Sequence, residues 1–235
     1  MVTPDVWARL LADIAAEQSS QPLRICQLCV DTLGMTGAGI SLVTAIGNRG
    51  AVCSTDDVAA RIEELQFELG EGPCVDAVSS GAPVLVPDLF EPGGVEVGRW
   101  PAFMDGAEKA GIRAVFAFPL QIGAISVGAL DLYRREPGET TADELAAMLL
   151  AADAAAIALL ALDTDADAMF SDSASNASYH LEVHQATGMV KEQAGVSIHQ
   201  ALLLLRARAF SSGRPITEIC TDVIERRISF SMEES

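Results

Sequence analysis

A chain of 235 residues, half of them apolar and a fifth charged, is globular rather than disordered and long enough for one large domain or for a medium and a small one. Its net charge of -18 argues against a nucleic-acid surface over the whole chain, but the charge is unevenly placed. Residues 1–178 carry 9 Lys and Arg against 26 Asp and Glu, whereas residues 179–235 carry 6 against 7, so an acidic front precedes a nearly neutral, arginine-bearing back, as suits two modules with separate tasks.

The first twenty residues hold Asp5, Asp13 and Glu17 and no continuous apolar stretch, so a secretory signal is not expected. The most apolar run, 145–162, is broken by Asp153 and falls short of the roughly 20 apolar residues that span a bilayer. No membrane partner is expected, and the cytoplasm is the expected compartment. Trp7, Leu10, Leu11 and Ile14 give helical spacing over 4–18, and a second helix runs from Pro22 through Ile25, Leu28, Cys29 and Leu33 to Gly34. Cys26 and Cys29 form a CxxC inside that helix, with no second CxxC to complete a tetrahedral zinc site, and are read as core. Five cysteines, an odd number, do not form a disulfide framework.

Residues 38–46, AGISLVTAI, and 51–54 read as a β-hairpin around Gly47-Asn48. A helix follows with Val58, Ile62, Leu65 and Leu69 on one face, then the tight bend GEGPC at 70–74, a further helix through Val75, Ala77 and Val78, and a short strand at 84–86. Residues 100–110 are helical up to Gly111, and 114–120 with 124–133 form a second hairpin. This order predicts an α+β domain whose helices bank on one face of an antiparallel sheet. In 141–163 a capped helix carries Leu145, Leu149, Ala152, Ala156 and Leu159 at heptad-like spacing. It either packs on its own sheet or forms a dimer seam. The acidic, serine-rich stretch 163–178 reads as a linker or helix extension. Three short helices close the chain: one from Tyr179, one opened by the capping box SIHQ at Ser197 and ended at Gly213, and one from Pro215 with Ile216, Ile219, Val223, Ile224 and Ile228 as its buried stripe.

The strings GEGPCVDAVSSGAPVLVPDL, RWPAF and GIRAVFAFPLQIGAISVGALDLYRREPG resemble a GAF domain of the actinobacterial type over residues 5–160. The resemblance implies about six antiparallel strands with helices on one side and a ligand pocket on the other, near Ser41, Cys53, Phe67, Cys74 and Phe118. No ligand class and no cofactor is specified by it. Residues 180–229 resemble the ANTAR domain, an RNA-binding output module of bacterial antiterminators, through Ala186, Gly188 and Val190 in QATGMV, Gly195 before VSIHQAL, Ala201, Leu205 and Ala209, and Arg214, Ile216 and Ile219. Thr187 stands where many members have a basic residue, and Cys220 where alanine is usual. That resemblance implies binding of paired RNA hairpins and modulation of transcription termination. On this reading the chain divides into a GAF-like sensor at 1–162, a linker at 163–178, an ANTAR-like module at 179–230 and a tail at 231–235.

The side chains suit RNA in a physical sense as well. Ala186, Thr187 and Gly188 leave a bare patch of helix that a base can approach, and Lys191, Arg206, Arg208 and Arg214 can hold phosphates. So few cations bind weakly singly, so the RNA is expected to be held by a homodimer through helix 141–163. His180 and His184 are spaced i, i+4, but the string HLEVH is not HExxH, and no metal site is expected. No phosphate loop, nucleophile elbow or acid–base constellation is present, so no catalytic residue is assigned. Two alternatives stand beside RNA binding: a thiol-dependent enzyme of GAF-like fold, of the free methionine sulfoxide reductase type, using Cys53 and Cys74, and a regulator that reads duplex DNA. The second is weakened by Glu218, Asp222 and Glu225 on the last helix.

Overall fold

The computed structural model describes residues 21–44, 47–92, 96–162 and 174–231. The helix expected over 4–18 lies outside them, as does most of the stretch read as a linker. The described residues divide into two compact units, one made of the residues up to 162 and one of residues 174–231.

The first unit runs α1 (Gln21–Leu33), β1 (Gly37–Thr44), β2 (Gly47–Ser54), α2 (Asp57–Leu69), α3 (Pro73–Ser80), β3 (Val84–Val86), α4 (Glu96–Arg99), α5 (Pro101–Ala110), β4 (Ala114–Ile122), β5 (Ile125–Arg134) and α6 (Ala142–Leu162). Among the described residues five strands form one sheet in the order β2-β1-β5-β4-β3, one fewer than the family resemblance implies. Strand β5 is central and antiparallel to both neighbours, with Gly39 opposite Asp131 and Phe118 opposite Leu130.

Helices cover both faces of this sheet, not one. Ile25, Cys26 and Cys29 of α1 and Met148, Ala151, Ala155 and Leu159 of α6 pack with Ile40, Phe116, Phe118, Leu130 and Leu132. Val115, Ala117 and Tyr133, which alternate with those residues, join Ile62 of α2, Ala77 of α3 and Trp100, Phe103 and Met104 around α5. The cause is the composition of β4 and β5, apolar at successive positions: a strand with two apolar faces has to be buried on both.

In the second unit α7 (Ala174–Ala194), α8 (Ile198–Ser212) and α9 (Ile216–Ile224) pack on one another around Val183, Ala186, Val190, Leu202, Leu205, Ile219 and Val223. Helix α7 begins five residues before the expected Tyr179. At α8 the Ser197 hydroxyl accepts from the Gln200 N–H while the Gln200 side chain accepts from the Ser197 N–H, and Gly213 closes the helix at φ 62°. Helix α9 ends at Ile224, four residues short of the expected Ile228. Arg226 N–H bonds to the Val223 carbonyl and Arg227 N–H to that of Asp222. This is a Schellman closure with Arg226 at the left-handed position, φ 60°.

Candidate functional site

Two places gather polar groups. The first lies behind the sheet, on the face of α2, α3 and α5. Alternation along the strands turns Ser41 of β1 and Asp131 of β5 away from the aromatic cluster of the other face, and α2 lays Glu63 and Gln66 over them. All four are buried. Gly39, opposite Asp131, makes the close approach possible, since a Cβ there would stand 2.7 Å from Glu63 Oε1. The GEGPC bend then brings in Cys74 at the start of α3, where Gly72 (φ 132°) leaves the room that Gln66 fills. Gln66 is a clamp: its Oε1 accepts from the Cys74 N–H at 2.7 Å, and its Nε2 donates to Asp131 Oδ2 at 2.7 Å. Cys74 Sγ stands 3.6 Å from Ser41 Oγ. The same bend serves α5, because Glu71 Oε1 accepts from the N–H groups of Ala102 and Phe103 at 2.7 and 2.9 Å. Asp76 in turn accepts from Arg99 Nε and Trp100 Nε1.

Burial dominates the chemistry of this cluster. It pushes Glu63 well above the carboxylate range, reinforced by the charge of Asp131. It pushes Asp131 up to about 6, with hydrogen bonds from Glu63 and Gln66 holding it below what burial alone would give. Burial, then the charges of Asp131 and Glu63, push the Cys74 thiol well up. Burial thus favours the protonated forms of Glu63 and Cys74, the reverse of an activated nucleophile.

The residues expected to line one pocket are distributed more widely. Ser41 and Cys74 meet in the cluster, and Phe67 is buried on α2. Phe118, however, lies on the opposite sheet face with α1 and α6. Cys53 of edge strand β2 packs toward that same core, its Sγ 3.6 Å from Cys26 Sγ. In β4 every second residue is apolar on either face, so its sequence does not tell which side a phenylalanine takes. Glu63, Gln66 and Asp131 escape the sequence reading; the available signal is a lone acid inside the apolar strand ALDLY.

The second place is a groove of about 580 Å³ in the helical unit, lined by Gln185, Gly188, Met189, Glu192, Gln193, Arg226, Ile228 and Ser229. Of the expected bare patch only Gly188 reaches it, with nothing within 4 Å of where a Cβ would stand. Ala186 and Thr187 are buried, because the helix turns them inward beside Val183 and Val190, and Thr187 Oγ1 donates to the Val183 carbonyl at 2.6 Å. The expected cations differ in availability. Lys191 is exposed and 2.6 Å from Glu192. Arg208 is exposed and Arg206 half-buried. Arg214 is engaged, at 2.9 Å from Glu218 and 2.8 Å from Asp222, and Arg227 closes on the other oxygen of Asp222 at 2.6 Å. Arg226, unnoticed in the sequence, is exposed on the groove.

No helix among the described residues is long and apolar enough to cross a membrane. The GAF domain family model matches residues 23–160. Among solved structures, the chain is similar to the free methionine-R-sulfoxide reductase of Neisseria meningitidis in complex with its substrate, at 18% identity, covering 69% of this chain and 89% of that one, TM-score 0.49. It is also similar to the GAF domain of a phosphoenolpyruvate-protein phosphotransferase from Acinetobacter, at 9% identity, covering 68% and 94%, TM-score 0.49. No curated protein matches.

Proposed function

Since this chain belongs to the GAF domain family through residues 23–160, we propose that it is a cytoplasmic regulator in which the GAF sensor controls RNA binding by the helical unit at 174–231. The RNA is a pair of hairpins, and their capture by two modules of a homodimer modulates transcription termination. The observation that carries this reading is Arg226. It is a non-glycine residue at φ 60° on the lip of the groove that Gly188 opens. A side chain there costs about 1 kcal/mol relative to glycine, so the helix closure that glycine would make more cheaply instead sets a cation beside a base-sized hollow. An unstacked loop base fits the hollow, with Gln185 and the NH₂ of Gln193, whose oxygen accepts from the Phe230 N–H, as hydrogen-bonding walls and Arg226 for phosphate.

Filter binding of the full chain to a two-hairpin RNA, with duplex DNA of the same sequence as competitor, tests this. RNA should win. Arg226→Gly should weaken binding at least about tenfold, or 1.4 kcal/mol, while raising the thermal midpoint by relieving the strained backbone. Unchanged RNA affinity in that stabilised variant, or equal competition by DNA, sinks the reading. The thiol-enzyme alternative has less support: Cys74 is a buried thiol beside Ser41, and the nearest sulfur contact of Cys53 is with Cys26.

A further inference from the structure

We propose that Glu63, Cys74 and Asp131 form a binding site for one divalent transition-metal ion of the zinc or ferrous class in the interior of the GAF domain. Their donor atoms, one from each residue, all lie within 4.8 Å of one another. They come from α2, the start of α3 and β5, so only the fold brings them together. The three residues are 1, 1 and 4% exposed, which sets them apart from the acidic clusters that proteins carry on their surfaces.

The second observation is independent of the clustering. Glu63 Oε2 and Asp131 Oδ1 are buried without a hydrogen-bond partner. Buried polar atoms are nearly always satisfied, and those that are not call for an unseen water or ion. Two carboxyls sharing a proton would use one oxygen of each and leave these two unmet. A cation meets both.

The donor set selects the ion. Magnesium and calcium take oxygen ligands and not a thiolate, and copper(I) takes sulfur and not carboxylates; a mixed carboxylate–thiolate set suits zinc or ferrous iron. Bonds of 2.0–2.3 Å to a tetrahedral ion place neighbouring ligand atoms roughly 3.3–3.8 Å apart, so binding draws the three side chains inward by about 1 Å. Ser41 Oγ, 3.6 Å from Cys74 Sγ, or a water completes the shell. Gln66 is the supporting residue: it orients Asp131 through Oδ2 and holds the backbone of Cys74, as outer partners of metal ligands do. On binding, any proton held by the thiol or a carboxyl passes to solvent, and the ion's charge offsets the negative charge so created.

The full chain, stripped with a chelator and titrated anaerobically with Co²⁺, decides the matter. One ion per chain is expected, with a thiolate-to-cobalt charge-transfer band. Cys74→Ser should abolish the band, and Cys53→Ser and Cys220→Ser should keep it. Glu63→Gln and Asp131→Asn should keep a weaker-bound band, with affinity lowered at least about tenfold. Circular dichroism of the metal-free variants separates lost ligation from lost folding, and the two neutral isosteres, which remove buried acids, should fold at least as well as the parent. Absence of stoichiometric binding, a band that survives Cys74→Ser, affinity unmoved in both isosteres, or retention of an organic cation with no metal uptake overturns the proposal. None of these outcomes bears on RNA binding by the helical unit.

Discussion

Thr187 illustrates how a single position changes meaning once its direction is known. The resemblance to the ANTAR domain implies a basic residue there, and a designer seeking tighter RNA binding would restore one. In this chain the residue is buried, with its hydroxyl closed on the Val183 carbonyl. Thr187→Lys should therefore lower stability by about 3 kcal/mol, the order of cost for a charge buried without a partner, and should not tighten RNA binding; a thermal melt and one filter-binding isotherm check both halves. A second residue-scale prediction concerns Asp88. Arg113 donates to both of its oxygens at 2.8 Å and holds its carboxyl below the usual range. A depressed carboxylate stabilises the fold above its unfolded pKa, and the contribution is lost as pH falls through the folded value. With the Arg113 side chain 41% exposed, the effect is screened to less than about 1 kcal/mol. Asp88→Asn should lower the melting midpoint slightly at neutral pH, and the gap from the parent should close in acid below the carboxylate range. The metal-site candidates fall outside such local reading: positions 63, 74 and 131 share no spacing rule, and only strand register and the GEGPC bend bring them together.

At the scale of elements, the order of helices and strands is legible because Gly, Pro and capping residues punctuate it, as at Gly70, Gly111, Ser197 and Gly213. The facing of helix α6 is not, because Leu and Ala occur on every side of it. The heptad-like set divides: Ala152, Ala156 and Leu159 are buried with the sheet core, and Leu145 is partly buried against it. Leu149 instead stands 44% exposed, in line with Ile157 at 46% and Leu160 at 45%. A dimer through this helix would use that outer stripe. If the proposed homodimer forms through this stripe, Leu149→Asp with Ile157→Asp should yield a monomer in sedimentation velocity with the melting midpoint nearly unchanged, whereas Leu159→Asp should unfold the chain. A double variant that stays dimeric would remove α6 from the interface. Helix α9 gives the converse lesson. Its apolar period continues to Ile228, but the closure at Arg226 ends it at Ile224, and no periodicity argument reports a left-handed residue that is not glycine.

For the whole molecule, the acidic front and the nearly neutral back seen in the sequence fall on the two compact units, and the α+β class follows from element order alone. The cover on both sheet faces is not legible strand by strand, since it depends on how much apolar surface two adjacent strands present together. A backbone N–H can only donate, so Gln66 must turn its oxygen to Cys74 and its NH₂ to Asp131. Asp131 Oδ2 is thereby obliged to accept at all times, and any proton Asp131 gains must sit on Oδ1, the oxygen without a partner. The first turn of α3 thus dictates which oxygen of the central strand can change state, and a chemical event at that one atom has a fixed route back to the bend that also caps α5.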